Sequence, residues 1–576
     1  MSLLLLVAGL ALVPLAVRDS FFLNAAIHVF LLGTAALGWN LIGGYAGQLS
    51  FGHAVFFGVG AYTSSVLLTR HGVWPWVGGP VGAALAVGLS LVIGAATFRL
   101  RRHFFALATL ALAEITRITF LNWTYVEAAI GLYLPLHYRG RLAYLMWDGK
   151  VPYYLAGLAL FAAALALTWW VDRTRMGLYL KATNQDADAA EALGLPTLRY
   201  KLWAMGASAA LAALAGTLYA QYVLYIDPYT VMASRISLLV VVMALIGGRG
   251  TVFGPALGAA FIVLLSEYTR TALGHLGQGY DFILFGALIM LLAIYEPRGL
   301  LGLGRRARPH RAVPVVEGSA PAPLPASGTP QDRVALRVEG LSKRFGGVAA
   351  LEAVDLVVRQ GEVLGLIGPN GAGKSTLFDC ITGFQRPDRG RVVVDGADLT
   401  ARPPHALAHA GVVRTFQLVR VFPELTALEN LLVAQPHRGE SVWQALRPPA
   451  PAVRARAEAL LRRVGLAASR EVPAGELSYG QQKVLALAMA LMTQAPVILL
   501  DEPTAGVHPA LIQELVAQIR ALNAEGRTFV VIEHHMEVVN ALAHRVYFLA
   551  GGRVLAEGTP EAVRQDPQVL HAYYGH

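Results

Sequence analysis

The chain has 576 residues, of which 55% are hydrophobic and only 15% are charged, and its formal net charge is +10. Because an average soluble domain contains roughly 25% charged residues, this composition argues against a uniformly soluble enzyme. Residues 1–300 contain 18 Lys and Arg and 12 Asp and Glu, whereas residues 335–576 contain 24 and 23. The composition therefore predicts a membrane part followed by a soluble part.

The surplus positive charge does not indicate nucleic-acid binding. A protein that neutralises phosphates clusters Lys and Arg on a soluble domain, but here these residues flank apolar segments, as they do at the cytoplasmic ends of membrane helices. Cys380 is the only cysteine. An intrachain disulfide and a cysteine-based metal cluster are therefore excluded, and redox chemistry is not expected.

Several apolar segments approach or reach the length of about 20 residues that a helix needs to cross a bilayer. They cover approximately 3–17, 21–42, 50–69, 74–98, 103–121, 152–171, 201–226 and 280–296. The first is expected to be a retained helix and not a signal peptide. No basic region precedes it, and Arg18-Asp19 follows it in place of a cleavage site.

A further apolar segment, 236–266, is interrupted by Gly247-Gly248-Arg249-Gly250 and by Gly254-Pro255. Glycine and proline at membrane depth mark broken helices or re-entrant backbone beside a cavity, since lipid offers no hydrogen-bond partners. This segment is expected to lie near a pathway through the membrane, and the number of times it crosses is left open. Basic residues around 99–102, 173–199 and 298–308 are predicted to face the cytoplasm.

Residues 301–334 contain six prolines among Ala, Ser and Gly. This composition favours a semi-extended linker, with a proline-motif ligand for another domain as the alternative. The predicted domains are therefore a membrane domain at 1–300, a linker at 301–334 and a soluble domain at 335–576.

After residue 335, short β-rich runs alternate with helical ones, which is typical of an α/β domain. The run 363–367 predicts a buried strand, and the segment after it matches the phosphate-binding pattern G-x-x-x-x-G-K-[ST]. Backbone N–H groups of such a loop surround phosphates, while Lys374 reaches the β- and γ-phosphates and the Ser375 hydroxyl ligates Mg²⁺. A chance glycine turn is the alternative. The candidate nucleotide contacts are Gly368, Pro369, Asn370, Gly371, Ala372, Gly373, Lys374, Ser375 and Thr376.

A second motif, Pro496-Val-Ile-Leu-Leu-Asp501-Glu502-Pro-Thr504, follows about 125 residues later. Its apolar strand delivers Asp501 to a position where a carboxylate can hold the water shell of Mg²⁺. Glu502 is the candidate group that orients or deprotonates the attacking water. By itself this pattern is equally consistent with a solvated strand end, but beside the phosphate loop it indicates nucleotide hydrolysis.

Between these motifs stands Leu477-Ser-Tyr-Gly-Gln-Gln-Lys483, which opens a predicted helix at 484–492. In this position, Ser-x-Gly-Gln resembles the signature of the ATP-binding cassette (ABC) ATPases. The resemblance implies an α/β ABC-type nucleotide-binding domain that binds ATP and Mg²⁺. It also implies that Ser478, Gly480 and Gln481 of one subunit cap the γ-phosphate held by another.

Three more residues match this family in order. The resemblance implies that Phe345 stacks on adenine, that Gln417 senses Mg²⁺ and contacts the membrane subunit, and that His534 touches the γ-phosphate. Their plainer alternatives are core packing, a polar loop residue and a buried structural histidine, respectively. The resemblance thus gives Glu502 and His534 as catalytic residues. The implied Mg²⁺ ligands are Ser375, Gln417 and Asp501.

One position departs from the family. Where ABC ATPases often have Asp shortly after the second motif, this chain has Gly506-Val507-His508. The contact across a cassette dimer is therefore uncertain at His508. A catalytically competent site is still expected, because Glu502 and His534 are present.

The segment 174–200 is polar and alanine-rich and lies between two predicted spans. It resembles the coupling loop of importer permeases, whose short helix docks beside the glutamine loop of the ATPase, whereas exporters use long helix extensions. The alternative is a solvated surface helix.

Motifs in both halves of the chain resemble one particular family of ABC importers. The motifs at 39–53, 247–255 and 296–300 look like those of the LivM-type permease of branched-chain amino acid importers, and those at 422–430 and 557–573 look like its LivG-type ATPase. That family usually has the pattern Gly-Gly-x-x-Gly where this chain has residues 126–131, and these residues do not match it. The resemblance therefore leaves the identity of the cargo open. No substrate pocket is assigned to the polar residues within apolar segments, which are Asn40, Gln48, His53, Glu114 and Glu267.

The resemblance implies a polytopic membrane protein of the cell inner membrane with its ATPase domain in the cytoplasm. Such a fused subunit would import branched-chain or other small hydrophobic amino acids, with urea, short amides or aromatic acids as the alternative cargo. The implied partners are a LivH-like permease, a LivF-like ATPase and an extracytoplasmic binding protein. A homodimer of this chain is the alternative assembly.

Overall fold

The structure is a computed structural model that describes residues 2–17, 19–100, 102–135, 141–273, 280–296, 299–303 and 330–574. The middle of the predicted linker, 304–329, and the basic residues at 101 and 298 lie outside the described residues. The chain separates into two compact units. The first comprises Met1–Asn184, Leu198–His310 and Ala445–Arg447, and the second comprises Gln185–Thr197, Arg311–Gln444 and Pro448–His576.

The chain up to residue 303 is predominantly helical. The α-helices described there are α1 (Ser2–Ala16), α2 (Ser20–Trp39), α3 (His53–His71), α4 (Pro75–Thr97), α5 (Arg102–Asn122), α6 (Arg141–Tyr144), α7 (Lys150–Asp172), α8 (Arg175–Gln185), α9 (Ala187–Ala192), α10 (Thr197–Val223), α11 (Pro228–Val231), α12 (Ser234–Gly247), α13 (Gly254–Leu273), α14 (Tyr280–Tyr295) and α15 (Leu300–Leu303). Strands β1 (Leu132–Tyr133) and β2 (Tyr225–Ile226) form a small antiparallel pair.

Among the described residues, six helical segments are long and apolar enough to cross a membrane. They are Ser20–Tyr45, Pro75–Thr97, His103–Asn122, Lys150–Asp172, Thr197–Val223 and Pro228–Gly247. The predicted span at 50–69 is the helix α3, which is not in this set and has the basic residues Arg70 and His71 in its last turn. The predicted span at 280–296 corresponds to α14, which has 16 residues.

The predicted interruption of 236–266 is confirmed. Helix α12 ends at Gly247 and α13 begins at Gly254, and a Cβ on Gly247 would lie 1.7 Å from the Gly254 carbonyl oxygen. The two helices therefore approach so closely at the turn that only glycine fits there.

Asn40 supplies the hydrogen bonds that this turn requires. It lies where α2 continues into a π-helix, Asn40–Tyr45, and it is fully buried. Its Nδ2 donates to the Thr251 carbonyl at 2.8 Å, and its Oδ1 accepts from the Gly250 N–H at 2.8 Å. One side chain thus pairs both kinds of backbone group that the helix break exposes, as an apolar environment demands.

The chain from residue 330 contains two sheets. The strands are β3 (Val334–Phe345), β4 (Val348–Arg359), β5 (Val363–Ile367), β6 (Arg389–Val394), β7 (Ala397–Asp398), β8 (Val412–Arg414), β9 (Val497–Asp501), β10 (Thr528–Ile532), β11 (Arg545–Ala550) and β12 (Arg553–Gly558). One sheet has the order β12-β11-β5-β10-β9-β8, and the other has the order β4-β3-β6-β7.

The described residues of this part of the chain also form ten α-helices. They are α16 (Lys374–Ile381), α17 (Pro404–Ala410), α18 (Ala427–Val433), α19 (Val442–Ala445), α20 (Pro451–Arg463), α21 (Tyr479–Met492), α22 (Pro509–Ala524), α23 (Met536–Leu542), α24 (Pro560–Gln565) and α25 (Pro567–Tyr574).

Three parallel strands position the motifs found in the sequence. Strand β10 pairs in parallel with both β5 and β9, and all five residues of each strand are buried. Parallel strands place their carboxyl ends at one edge of a sheet. The loops after β5, β9 and β10 therefore meet at the same edge.

One predicted helix boundary differs from the structure. Helix α21 begins at Tyr479 and not at 484, because Ser478 and Gln481 form a capping box around its first turn. The predicted linker is structured at both ends, where α15 occupies Leu300–Leu303 and β3 begins at Val334.

The segment Gln185–Thr197 clusters with the second unit. Its helix α9 begins after Asp186, whose carboxylate accepts from the Ala189 N–H at 2.9 Å. Arg420 forms ion pairs with Asp186 and Asp188 at 3.5 and 3.4 Å, and the Glu424 N–H donates to the Gln185 side chain at 2.9 Å. The alanines at 189, 190 and 192 are buried. The alternative of a solvated surface helix is therefore wrong.

Replacing Asn40 tests the stability of the helix break. Asn40→Ala leaves the partly buried Gly250 N–H and Thr251 carbonyl without this partner, at a cost of up to about 1–3 kcal/mol each. We expect a lower midpoint of thermal unfolding and faster amide exchange at residue 250. Asn122→Ala is the matched control, because within the described part of the chain the Asn122 side chain bonds only to the Ile118 carbonyl of its own helix. Equal effects of the two substitutions would contradict this account.

Candidate functional site

The phosphate-loop candidate connects β5 to α16. Gly373, which precedes α16, has φ 102°, and Gly371 has φ 80° with no atom within 4 Å of where a Cβ would lie. The first glycine permits the left-handed backbone that opens the helix, and the second leaves the loop surface open. The backbone thus forms a concave turn at a helix N-terminus, which is favourable for a phosphate.

Lys374 lies buried in this loop. Its Nζ donates to the carbonyls of Gly368 at 2.6 Å and Pro369 at 2.9 Å. Burial lowers the pKa of the Lys374 ammonium, while Glu502 and Asp501 oppose that shift. The predicted loop residues Asn370 and Ser375 are exposed. The loop therefore combines a buried cation with accessible polar side chains.

Glu502 is held by two other candidate site residues, Gln417 and His534. Its Oε2 accepts from Gln417 Nε2 at 2.8 Å, and its Oε1 lies 2.8 Å from His534 Nε2. The side chain of His534 is 36% exposed, so it is not a buried structural histidine. Gln417 is likewise more than a polar loop residue, because it contacts this carboxylate directly.

The backbone at Glu502 adopts a left-handed conformation with φ 47°. This conformation is unfavourable for a side-chain-bearing residue and is retained only where neighbouring contacts impose it. The Glu502 N–H donates to the Ile532 carbonyl at 3.0 Å, which ties the turn after β9 to the end of β10. The carboxylate is thus oriented by both its backbone and its side-chain partners.

Asp501 is paired with an arginine whose role the sequence analysis did not recognise. Arg414 Nη2 donates to Asp501 Oδ2 at 3.0 Å, and Arg414 Nη1 pairs with Asp379. The Arg414 and Asp501 side chains are only 6% and 5% exposed. Burial raises the pKa of the Asp501 carboxyl, and the charge of Arg414 opposes that shift. Arg414 therefore helps to keep a buried carboxylate ionised.

Aromatic rings enclose this arginine. Its guanidinium carbon lies 5.0 Å from the ring centre of Phe416, 5.8 Å from that of Phe378 and 6.0 Å from that of Phe384. These rings exclude water and attract the cation. The available signal in the sequence was the position of Arg414, three residues before Gln417.

Two more residues support the loop after β9. Lys483 Nζ donates to the carbonyls of Glu502 and Pro503 at 2.9 and 3.1 Å. Glu533 accepts from the Thr504 N–H at 2.9 Å and from the Thr504 hydroxyl at 2.6 Å. Neither residue has a role that the sequence alone predicts, although each stands in or beside a recognised motif.

The remaining candidates are placed by local structure. Phe345 ends β3 and is 47% exposed, which excludes ordinary core packing. Ser478 accepts from the Gln481 N–H at 3.3 Å and thereby caps α21, with Gly480 in its first turn. Among the described residues, no hydrogen bond joins these signature residues to the phosphate loop. The carbonyl of His508 accepts from the Leu511 N–H at the start of α22.

Three family models match the chain. A branched-chain amino acid transport system permease component matches residues 21–293, an ABC transporter model matches 351–505, and a branched-chain amino acid ATP-binding cassette transporter model matches 553–573. The last match coincides with the C-terminal tail recognised in the sequence.

Curated proteins of similar sequence align with the cassette. The high-affinity branched-chain amino acid transport ATP-binding protein BraF of Pseudomonas aeruginosa is 42% identical over 251 residues, covering 42% of this chain and 98% of that protein. The corresponding LivG of Escherichia coli K12 is 41% identical over 250 residues, covering 42% of this chain and 97% of that protein. A solved nucleotide-free ATP-binding cassette from an ABC transporter is 38% identical, with a TM-score of 0.38, and the match covers 42% of this chain and all of that one.

This chain is an ABC transporter that joins a permease and an ATPase in one polypeptide. Three features define it: the membrane helices, the phosphate loop, and the carboxylate of Glu502 held by Gln417 and His534. Its cassette is an ATPase, and its hydrolysis of ATP is coupled to transport. The chain belongs to the branched-chain amino acid ABC transporter family.

The Arg414 pair yields a stability prediction. Arg414→Met removes one partner of a buried ion pair and leaves Asp501 uncompensated, which typically costs about 3–5 kcal/mol. Arg463→Met is the control, because the Arg463–Glu525 pair is exposed at both ends and such pairs contribute about 0–1 kcal/mol. The full chain is unfolded with denaturant, and the fluorescence of the cassette is the readout. The measured quantity is the difference between the unfolding midpoints of the two variants. Similar midpoints for the two variants would contradict the importance of the buried pair.

Proposed function

We propose that this chain is the fused permease and ATPase subunit of an importer for branched-chain or related small hydrophobic amino acids. The observation that carries the proposal is the contact of Glu502 with both Gln417 and His534, beside a phosphate loop that follows membrane helices. The matches to branched-chain amino acid permease and cassette families support the cargo class. The proposed domains are 1–300, 301–334 and 335–576.

The residues present fit ATP and Mg²⁺. The open backbone at Gly371 and the ammonium of Lys374 suit phosphate oxygens, and the exposed ring of Phe345 suits stacking on adenine. Ser375, Gln417 and Asp501 would hold the metal, and all three offer the hard oxygen ligands that Mg²⁺ prefers. When bound, Mg²⁺ neutralises charge on the phosphates.

In this mechanism, Glu502 orients the attacking water and accepts its proton, while His534 and Gln417 keep the carboxylate in place. Asp501 stays ionised through Arg414. Ser478, Gly480 and Gln481 present the N-terminus of α21 to the nucleotide of a second cassette, where backbone N–H groups stabilise the γ-phosphate.

Movement of the cassette would reach the membrane helices through the segment Gln185–Thr197. Arg420 follows Gln417 by three residues and is paired with Asp186 and Asp188. A displacement of the glutamine loop would therefore act on the N-terminal end of α9, where both of these carboxylates lie. This connection is the proposed route from ATP hydrolysis to transport.

The proposed function requires a membrane location and partner proteins. The ATPase is placed in the cytoplasm and the helices in the inner membrane. Composite sites need two cassettes, so a LivF-like ATPase, a LivH-like permease and an extracytoplasmic binding protein are the proposed partners. A homodimer of this chain is the competing assembly.

Substitution of Glu502 tests the chemistry and the assembly. Glu502→Gln keeps the size of the side chain but cannot accept the proton of water, so we expect ATP binding without turnover and an accumulation of closed cassette dimers. Native mass spectrometry of the trapped complex identifies the second cassette. Glu514→Gln, on the exposed face of α22, is the control and is expected to hydrolyse ATP normally. Turnover by Glu502→Gln at the wild-type rate would refute the role of Glu502.

The cargo is tested by ATP-dependent uptake. Vesicles that contain the assembled transporter and its binding protein are expected to accumulate leucine, and not urea or benzoate, when ATP is on the cassette side. The missing Gly-Gly-x-x-Gly pattern at 126–131 makes urea, amides and aromatic acids the specific rivals. Uptake of a rival without uptake of leucine overturns the cargo, and movement of leucine in the opposite direction overturns the polarity.

A further inference from the structure

An ion pair lies within the membrane helix α5. Arg117 Nε donates to Glu114 Oε2 at 3.0 Å, and Arg117 Nη2 pairs with Glu114 Oε1. The two residues are one helical turn apart and form a two-pronged contact. The Glu114 side chain nevertheless remains 46% exposed.

The depth of this pair makes its exposure significant. The span that contains it runs from His103 to Asn122. At 1.5 Å per residue, Glu114 lies about 16 Å from one end and about 12 Å from the other. This position is near the middle of a hydrocarbon layer about 30 Å thick. Charged groups at this depth face water-filled space or protein and not lipid.

The arginine is held from a second side. Its guanidinium carbon lies 5.4 Å from the ring centre of Tyr229, whose N–H donates to Asp227 at 2.7 Å. Asp227 caps the short helix α11. The orientation of Arg117 is therefore fixed by Glu114 and Tyr229 together, so the charges are presented in a defined geometry.

Neither charged group is saturated by the pair. A guanidinium has five N–H donors, of which this contact uses two, and a carboxylate has about four acceptor sites, of which it also uses two. On the same face of α5, one turn away on either side, Ala111 and Ile118 are exposed. The face thus offers an anion, a cation and apolar surface next to one another.

We propose that Glu114 and Arg117 form an amino-acid contact site on the translocation pathway. The carboxylate of Glu114 accepts from the α-ammonium of the cargo, Arg117 donates to its α-carboxylate, and the apolar neighbours contact its side chain. This inference rests on the proposed function. The charge pair would explain why the cargo is an amino acid, because urea and amides carry neither charge and aromatic acids carry only the negative one.

Thiol accessibility tests whether this face borders water. Cys380 is the only cysteine of the chain, so Cys380→Ala provides a background without a competing thiol. Cys380 is also buried, and burial raises the pKa of its thiol to about 11. In that background we expect Ala111→Cys to react with a charged, water-soluble thiol reagent in membranes that contain the assembled transporter. Leucine with ATP is expected to slow this reaction at least threefold, whereas urea and benzoate leave it unchanged. Leu85→Cys, an exposed position in the middle of α4, is the control and is expected to remain unreactive.

Charge substitutions then test recognition. Glu114→Gln in the Ala111→Cys background is expected to keep the thiol reactive, to lose the protection by leucine and to reduce leucine uptake at least tenfold. Glu114→Asp is expected to restore part of both. Arg117→Met provides a second variant if Glu114→Gln fails to assemble.

The outcomes separate the alternatives. An unreactive Ala111→Cys would place this face against lipid or a second permease and overturn the inference. Full leucine protection in both Glu114→Gln and Arg117→Met would assign the pair a structural role only, and would also overturn it. Absence of ATP-dependent leucine uptake by the wild-type transporter would contradict the proposed function itself.

Discussion

The parallel pairing of β10 with β5 and β9 is the constraint on which the cassette depends. All three strands are buried along their whole length, so their register is fixed by packing on both faces and by ladder hydrogen bonds. Each strand ends in one motif: the phosphate loop, the Asp501-Glu502 pair, and the Glu533-His534 pair. A single register error would move these groups apart, because a shift of one residue reverses the direction of every side chain.

The first unit depends on a different constraint, which is the need to pair every backbone group away from water. At the break between α12 and α13 that need is met by one side chain, Asn40. Asn40 also begins the π-helix at the end of α2, and Asn184 donates to the carbonyl of Gly44 in that π-helix at 3.2 Å. Two amide side chains thus join the π-helix to the turn between α12 and α13 and to helix α8.

The sequence predicted the elements whose signals are local. The phosphate loop, the signature, most of the membrane spans and the break near Gly247 depend on neighbouring residues or on hydropathy, and the structure contains each of them. The adenine-stacking and γ-phosphate roles of Phe345 and His534 came from resemblance to a family and stay predictions.

The contacts that the sequence did not predict connect residues distant in the chain. Arg414 and Asp501 are 87 residues apart, and Asn40 and Gly250 are 210 apart. No periodicity or spacing encodes such pairs, because they arise only after the strands and helices have packed. The predicted start of α21 at 484 is wrong for a local reason: the capping box of Ser478 and Gln481 begins the helix within the signature, at Tyr479.

The segment Gln185–Thr197 lies between two membrane helices in the sequence, yet it clusters with the cassette. In a transporter assembled from separate permease and ATPase chains, such a contact forms between molecules and weakens on dilution. Here it forms within one polypeptide, so its occupancy does not depend on the concentration of the protein. Synthesis of one chain also fixes the ratio of this permease to this ATPase at one to one, whatever the level of expression.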